Sequence, residues 1–167
     1  IPLPNPVLGG IVSFGLGHIA YIAACLIARK RASLTSRSHL WASVLVWQAV
    51  GLIGWLIVVY PSQLEDARPI IWPALPYSLL LAGTAGFATG LAVQDRRFTL
   101  LAVGAGLFLL SDLILAWRLF RGPFPYGSEA VWLTYGPGQM LIVYSVGRAV
   151  NAIAGPRPGS MASGESL

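Results

Sequence analysis

The chain has 167 residues, of which 56% are hydrophobic and only 10% charged, and its mean hydropathy is +0.70. That balance excludes an ordinary soluble domain and points to a membrane protein. The formal net charge of +5 comes from basic residues at the ends of apolar runs, which membrane orientation explains, and no nucleic-acid motif accompanies them.

A helix rises about 1.5 Å per residue and the hydrocarbon layer is roughly 30 Å thick, so a span needs about 20 mostly apolar residues. Five runs qualify, from Val7 to Ala28, Leu40 to Tyr60, Leu75 to Val93, Thr99 to Phe120 and Ala130 to Val150. They predict an all-α polytopic bundle over residues 1–150, followed by a polar tail, 151–167, whose Gly, Ser and Pro content predicts disorder.

The first run, with "SFGLGHIAYIAACL", brings His18 near mid-span and Tyr21 three residues on, close to the same face. It also holds Cys25, the only cysteine, so an internal disulfide and a thiolate metal cluster are both excluded. The connector "RKRASLTSRSH" is strongly basic. The second run has Gln48 as its main polar group and reads as structural. After "PSQLEDARPIIWP", Tyr77 and Ser78 open the third run, where Gly83, Gly86 and Gly90 form a stripe suited to close helix contact.

The fourth run contains "GAGLFLLSDLILAW", with Asp112 as the sole carboxylate inside an apolar segment. Asp at a helix centre in a bilayer costs about 2.5–3.5 kcal/mol on insertion scales, so such a residue faces the bundle interior or a wet cavity. It is either a poised acid or a protonated tie between helices. The fifth run, "WLTYGPGQMLIVYS", brings Tyr135 to a depth similar to that of Asp112 and Gln139 one turn further, while Pro137 is expected to perturb the helix and free a carbonyl. Each group has a bland alternative: a lone His in a helix is more often a satisfied core residue, and a Tyr near a span end an interface anchor.

Orientation follows from Lys and Arg. One side holds Arg29, Lys30, Arg31, Arg37, Arg96, Arg97, Arg148 and Arg157; the other has Arg68, Arg118 and Arg121. The basic side is expected to face the cytoplasm. Trp41, Trp72, Trp117 and Trp132 near span ends fit an interfacial belt. There is no GxSxG, HExxH or P-loop signature, and with two histidines a His-rich metal site is not expected.

"FGLGHIAYIAACL", "PYSLLLAGTAGFA", "GAGLFLLSDLILAWRLF" and "YGPGQMLIVYSVG" occur in the order and spacing of the YhhN-like lysoplasmalogenases, which the chain resembles from about Phe14 to Gly147. The Ser111–Asp112 pair is the most specific element, Gly17–His18 and Tyr135 to Gln139 less so. The resemblance implies an eight-helix bundle with three helices upstream of Ile1, and a Gly-Asp element there supplying a second carboxylate. It implies an integral membrane hydrolase, expected in a bacterial or archaeal cell membrane, that cleaves the vinyl ether of lysoplasmalogens to a fatty aldehyde and a glycerophospho-alcohol.

On that resemblance Asp112 is general acid or cation-stabilising carboxylate. Ser111, Tyr135 and Gln139 orient it or the attacking water, His18 and Tyr21 relay protons or bind the ether oxygen, and Tyr77 and Ser78 contact the glycerol or phosphate. No metal or organic cofactor is implied; the partners are a lysophospholipid substrate and membrane lipids, with a homo-oligomer left open. A proton-coupled transporter using Asp112, or a non-catalytic lipid-binding protein, is the competing expectation.

Overall fold

The computed structural model describes residues 6–153, so the predicted disordered tail beyond Ile153 lies outside the described residues. The five apolar runs fold as five long helices: α1 (Pro6–Arg31), α2 (Arg37–Gly54), α3 (Arg68–Gln94), α4 (Thr99–Phe120) and α5 (Gly127–Ile153). A π-type turn, Trp55–Val59, continues α2, and short 3₁₀ turns, Glu65–Ala67 and Arg96–Phe98, lead into α3 and α4. No strand occurs among the described residues.

Four of these segments, Pro6–Arg31, Arg37–Val59, Glu65–Gln94 and Arg96–Phe120, are long and apolar enough to cross a membrane. The expectation of five such spans is therefore modified at α5. It matches the others in length, but its Thr134, Gly136–Pro137–Gly138 and Gln139 dilute its apolar character. Large apolar side chains point outward across the bundle, with Leu45 68% and Leu133 74% exposed, an arrangement that acyl chains solvate and water does not.

Two boundaries differ from the sequence reading. Residues 68–74, expected as connector, form the first two turns of α3, because Pro69 sits in the first turn, where its missing N–H costs nothing. Pro73 and Pro76 follow inside the helix. Likewise α5 runs unbroken through Pro137, with Leu133, whose carbonyl loses its helical donor, on the exposed face.

The connectors are held by specific polar contacts. Ser36 caps α2, and its backbone N–H donates to Gln94 Oε1 (3.0 Å) at the far end of α3. Asp95 caps the next turn by accepting from Arg97 N (2.9 Å), and the hydrogen-bonded Arg97 guanidinium holds its carboxyl below the ordinary carboxylate range. At the opposite end, Arg121 donates to the carbonyls of Ile57 and Val58, which the end of the π-type turn leaves without helical donors.

Packing is organised around α3, which contacts α1, α2 and α4, while α5 packs chiefly on α4. The continuous buried run from Leu81 to Gly86 shows why a mostly small-residue helix takes the centre. A Cβ on Gly86 would lie 2.7 Å from the Val44 Cα, and one on Gly90 2.9 Å from the Leu40 Cα, so α2 and α3 meet backbone to backbone. The pair Gly104 and Gly138 does the same for α4 and α5. Because α1 rests mainly on α3 and α5 on α4, the two flank an open side of the bundle.

Candidate active site

That open side leads into a cavity of about 510 Å³, of the size that binds small ligands. Its walls come from α1, the π-type turn, α3, α4 and α5. Asp112 lies eight residues before the end of α4, Tyr135 eight after the start of α5 and Tyr77 nine after the start of α3. At 1.5 Å per residue all three sit roughly 12 Å in from the Arg-poor end. Antiparallel helices with matched ends thus bring three distant positions to one depth.

The contact that defines the site joins the Tyr77 hydroxyl, as donor, to Asp112 Oδ2. It leaves Oδ1 to carry a proton or accept one. Both side chains line the cavity, as do Tyr135, Ser78 and Ser111. The Tyr135 ring packs on Phe108, with centroids 5.4 Å apart, and on Trp132 at 5.8 Å. The two serine hydroxyls are committed within their own helices, Ser78 to Leu75 O (2.9 Å) and Ser111 to Phe108 O (2.8 Å). What remains for a ligand is their oxygen lone pairs.

His18 lies one layer behind. It is buried, outside the cavity lining, with its ring edge-on to Phe108 at 5.0 Å and to Tyr77 at 6.4 Å. Its Nδ1 meets Thr84 Oγ1 at 3.0 Å, and Thr84 Oγ1 donates its single proton to Leu80 O (3.1 Å). With the hydroxyl proton on Leu80 O, the Nδ1–H is the donor to Thr84, and Nε2 is then unprotonated in the neutral ring. Thr84→Val is expected to strand this buried donor and to cost about 1–3 kcal/mol of stability, read as a lowered unfolding temperature in detergent.

Tyr21 touches the His18 ring (5.8 Å) but does not line the cavity. Gln139, one turn below Tyr135, also stays off the lining, and its amide makes no hydrogen bond with the described residues. Of the eight side chains singled out from sequence, five line the cavity, His18 supports its wall, and Tyr21 and Gln139 stand farther off. Sequence reading missed Thr84 and Phe108. Thr84 sits inside "GTAGFATG", where the glycine stripe masks it; Phe108 has no signal beyond being apolar. No group of three or more His, Cys, Asp or Glu that could hold a metal occurs among the described residues.

A half-buried carboxyl–phenol pair in a largely apolar cavity, inside a bundle of membrane-length helices, defines a polytopic membrane protein with an intramembrane polar site. The chain belongs to the YhhN family, whose profile matches residues 3–146. It is similar to the pig (Sus scrofa) protein named lysoplasmalogenase TMEM86B, 32% identical over 149 residues that make up 87% of this chain and 56% of that protein. It is also similar to the human (Homo sapiens) protein named lysoplasmalogenase TMEM86A, 30% identical over 142 residues, 81% of this chain and 53% of that one. The chain thus spans about half the length of the curated relatives it matches. No solved structure matches it.

Proposed function

We propose that this protein hydrolyses the vinyl-ether bond of lysoplasmalogens, with Asp112 as the reacting carboxyl. The observation that carries the reading is the Tyr77–Asp112 hydrogen bond within a largely apolar cavity among membrane-length helices. The names of the two relatives support the substrate class.

Hydrolysis requires a proton on the β-carbon of the enol ether, which turns the C=C–O unit into an oxocarbenium ion. Water then adds to the carbon bound to oxygen, loses a proton, and the hemiacetal collapses to a fatty aldehyde and the free glycerol hydroxyl. Asp112 serves in one of two ways: as the acid, delivering a proton from Oδ1 while Oδ2 is held by Tyr77, or as the carboxylate that stabilises the cation. A pair of carboxyls divides these tasks in glycosidases, which pass through the same kind of cation. Within the described apolar interior Asp112 is the one acid, so the reading places its counterpart in another part of the protein.

Tyr135, across the cavity, is suited to position the water, and the apolar walls keep bulk solvent from the cation. Tyr77→Phe removes the donor that orients the carboxyl. Hydrogen bonds to such groups contribute about 1.5–3 kcal/mol, so kcat is expected to fall about ten- to hundredfold with little change in KM. The proposal is tested by release of fatty aldehyde from a lysoplasmalogen added to the purified protein in detergent. No aldehyde, with solute uptake seen only in sealed vesicles, would replace hydrolysis by proton-coupled transport.

A further inference from the structure

We infer that the cavity holds the substrate's hydrocarbon tail on the Arg-poor side of Asp112, against α1 and α5, and that Gly10 sets how much tail fits. The inference rests on the proposed hydrolase reading and deepens it by placing the tail of the substrate.

Most polar atoms of the cavity lie at one level, that of Tyr77, Ser78, Ser111, Asp112 and Tyr135, with the apolar Leu81, Phe108 and Leu109 about a turn deeper. From that level toward the Arg-poor end the lining is longer and, apart from the Trp132 indole N–H near the start of α5, apolar, including Val7, Ile11, Val59, Leu119, Phe120 and Val131. Aliphatic and ring carbons solvate methylenes and leave a phosphate or glycerol hydroxyl largely unpaired. The reacting ether must lie beside Asp112, and the longer apolar stretch, toward the Arg-poor end, is left for the tail.

On α1 the lining residues are Val7, Gly10, Ile11 and Phe14, the i, i+3, i+4, i+7 spacing of one helical face. Phe14 packs against Phe108 (6.4 Å) at about the depth of Asp112. Gly10, one turn outward, leaves a gap in that face. A Cβ built there meets no atom within 4 Å, unlike the packing glycines of α3 and α4. The free space beside Gly10 is therefore not a helix contact, and a larger side chain can occupy it without moving the backbone. Gly17 on the same helix is equally open but lies outside the lining.

The test compares lysoplasmalogens of short and long tail as competing substrates for the full-length protein, its Gly10→Leu variant and, as the control for putting leucine into α1, Gly17→Leu. Gly10→Leu is expected to lower the long-to-short ratio of kcat/KM by about tenfold or more, the discrimination that a few methylenes give in a filled apolar pocket. Gly17→Leu should leave the ratio unchanged. An unchanged ratio in a folded Gly10→Leu protein, or an equal shift in both variants, overturns the inference while leaving the hydrolase reading in place.

Failure of the hydrolase reading itself would show as no aldehyde from the wild-type protein. The inference is then judged by a lysophospholipid carrying a diazirine near the end of its tail. Light-induced labelling of the α1 stretch from Val7 to Phe14, diminished in Gly10→Leu, supports it; labelling spread evenly over the lipid-facing helix surfaces overturns it.

Discussion

Asp112→Asn should abolish most aldehyde release while the protein stays folded. The amide is nearly the same size as the carboxyl, and its oxygen can still accept the Tyr77 proton, so the helix contacts between α3 and α4 persist. It has neither an acidic proton to deliver nor a charge to place beside an oxocarbenium ion. Positioned acid–base groups contribute about a hundred- to ten-thousandfold in rate, and the loss in kcat is expected within that range. KM should change little, because the interaction removed is strongest in the transition state. Near-normal turnover in a folded Asn variant would show that the chemistry lies elsewhere. An unfolding temperature that drops together with activity would instead mark Asp112 as a structural tie between helices.

The largest loss of stability is expected from Gly86→Val. The new Cβ would stand 2.7 Å from the Val44 Cα, 3.3 Å from its Cγ2 and 3.4 Å from the Ser43 carbonyl, so two of the three obstacles are backbone of α2. No rotamer change relieves that contact; α2 and α3 must separate. Overpacking costs about 1–3 kcal/mol where side chains can yield, and here the upper end or beyond is expected. In a bilayer, apolar side chains gain little by leaving lipid for a helix interface, so close approach between small residues carries much of the association. Gly17→Val, with open space around its Cβ, should stay within about 0.5 kcal/mol of the parent. Thermal unfolding in detergent separates the two, and equal effects would show that helix propensity, rather than contact, governs both positions.

These outcomes divide the molecule between what its sequence encodes directly and what requires three dimensions. Composition and run length determine that the protein is a multi-pass helical bundle, because a hydrocarbon layer admits few ways to satisfy the backbone, and the helix is the one these runs allow. The isolation of Asp112 among apolar residues was equally legible, since an uncompensated acid there is too costly to be incidental. The glycine stripe of α3 announced a close helix contact for a similar reason.

Only the tertiary structure decided which polar groups meet that acid. Helical periodicity gives a residue's face but not the neighbour opposite it: the sequence points to Tyr135 and Gln139 beside Asp112 and to Tyr77 as a glycerol or phosphate contact, whereas the packing of α3 on α4 puts the Tyr77 hydroxyl on the carboxyl and leaves Tyr21 and Gln139 off the cavity lining. Thr84 and Phe108 were hidden for the same reason: a threonine beside glycines and a phenylalanine among leucines acquire roles only through contacts 66 and 90 positions away, with His18. Gly10 is the counterpart. Its sequence neighbours make it one more small membrane residue, and only the tertiary structure shows that it lines the cavity with open space beside it.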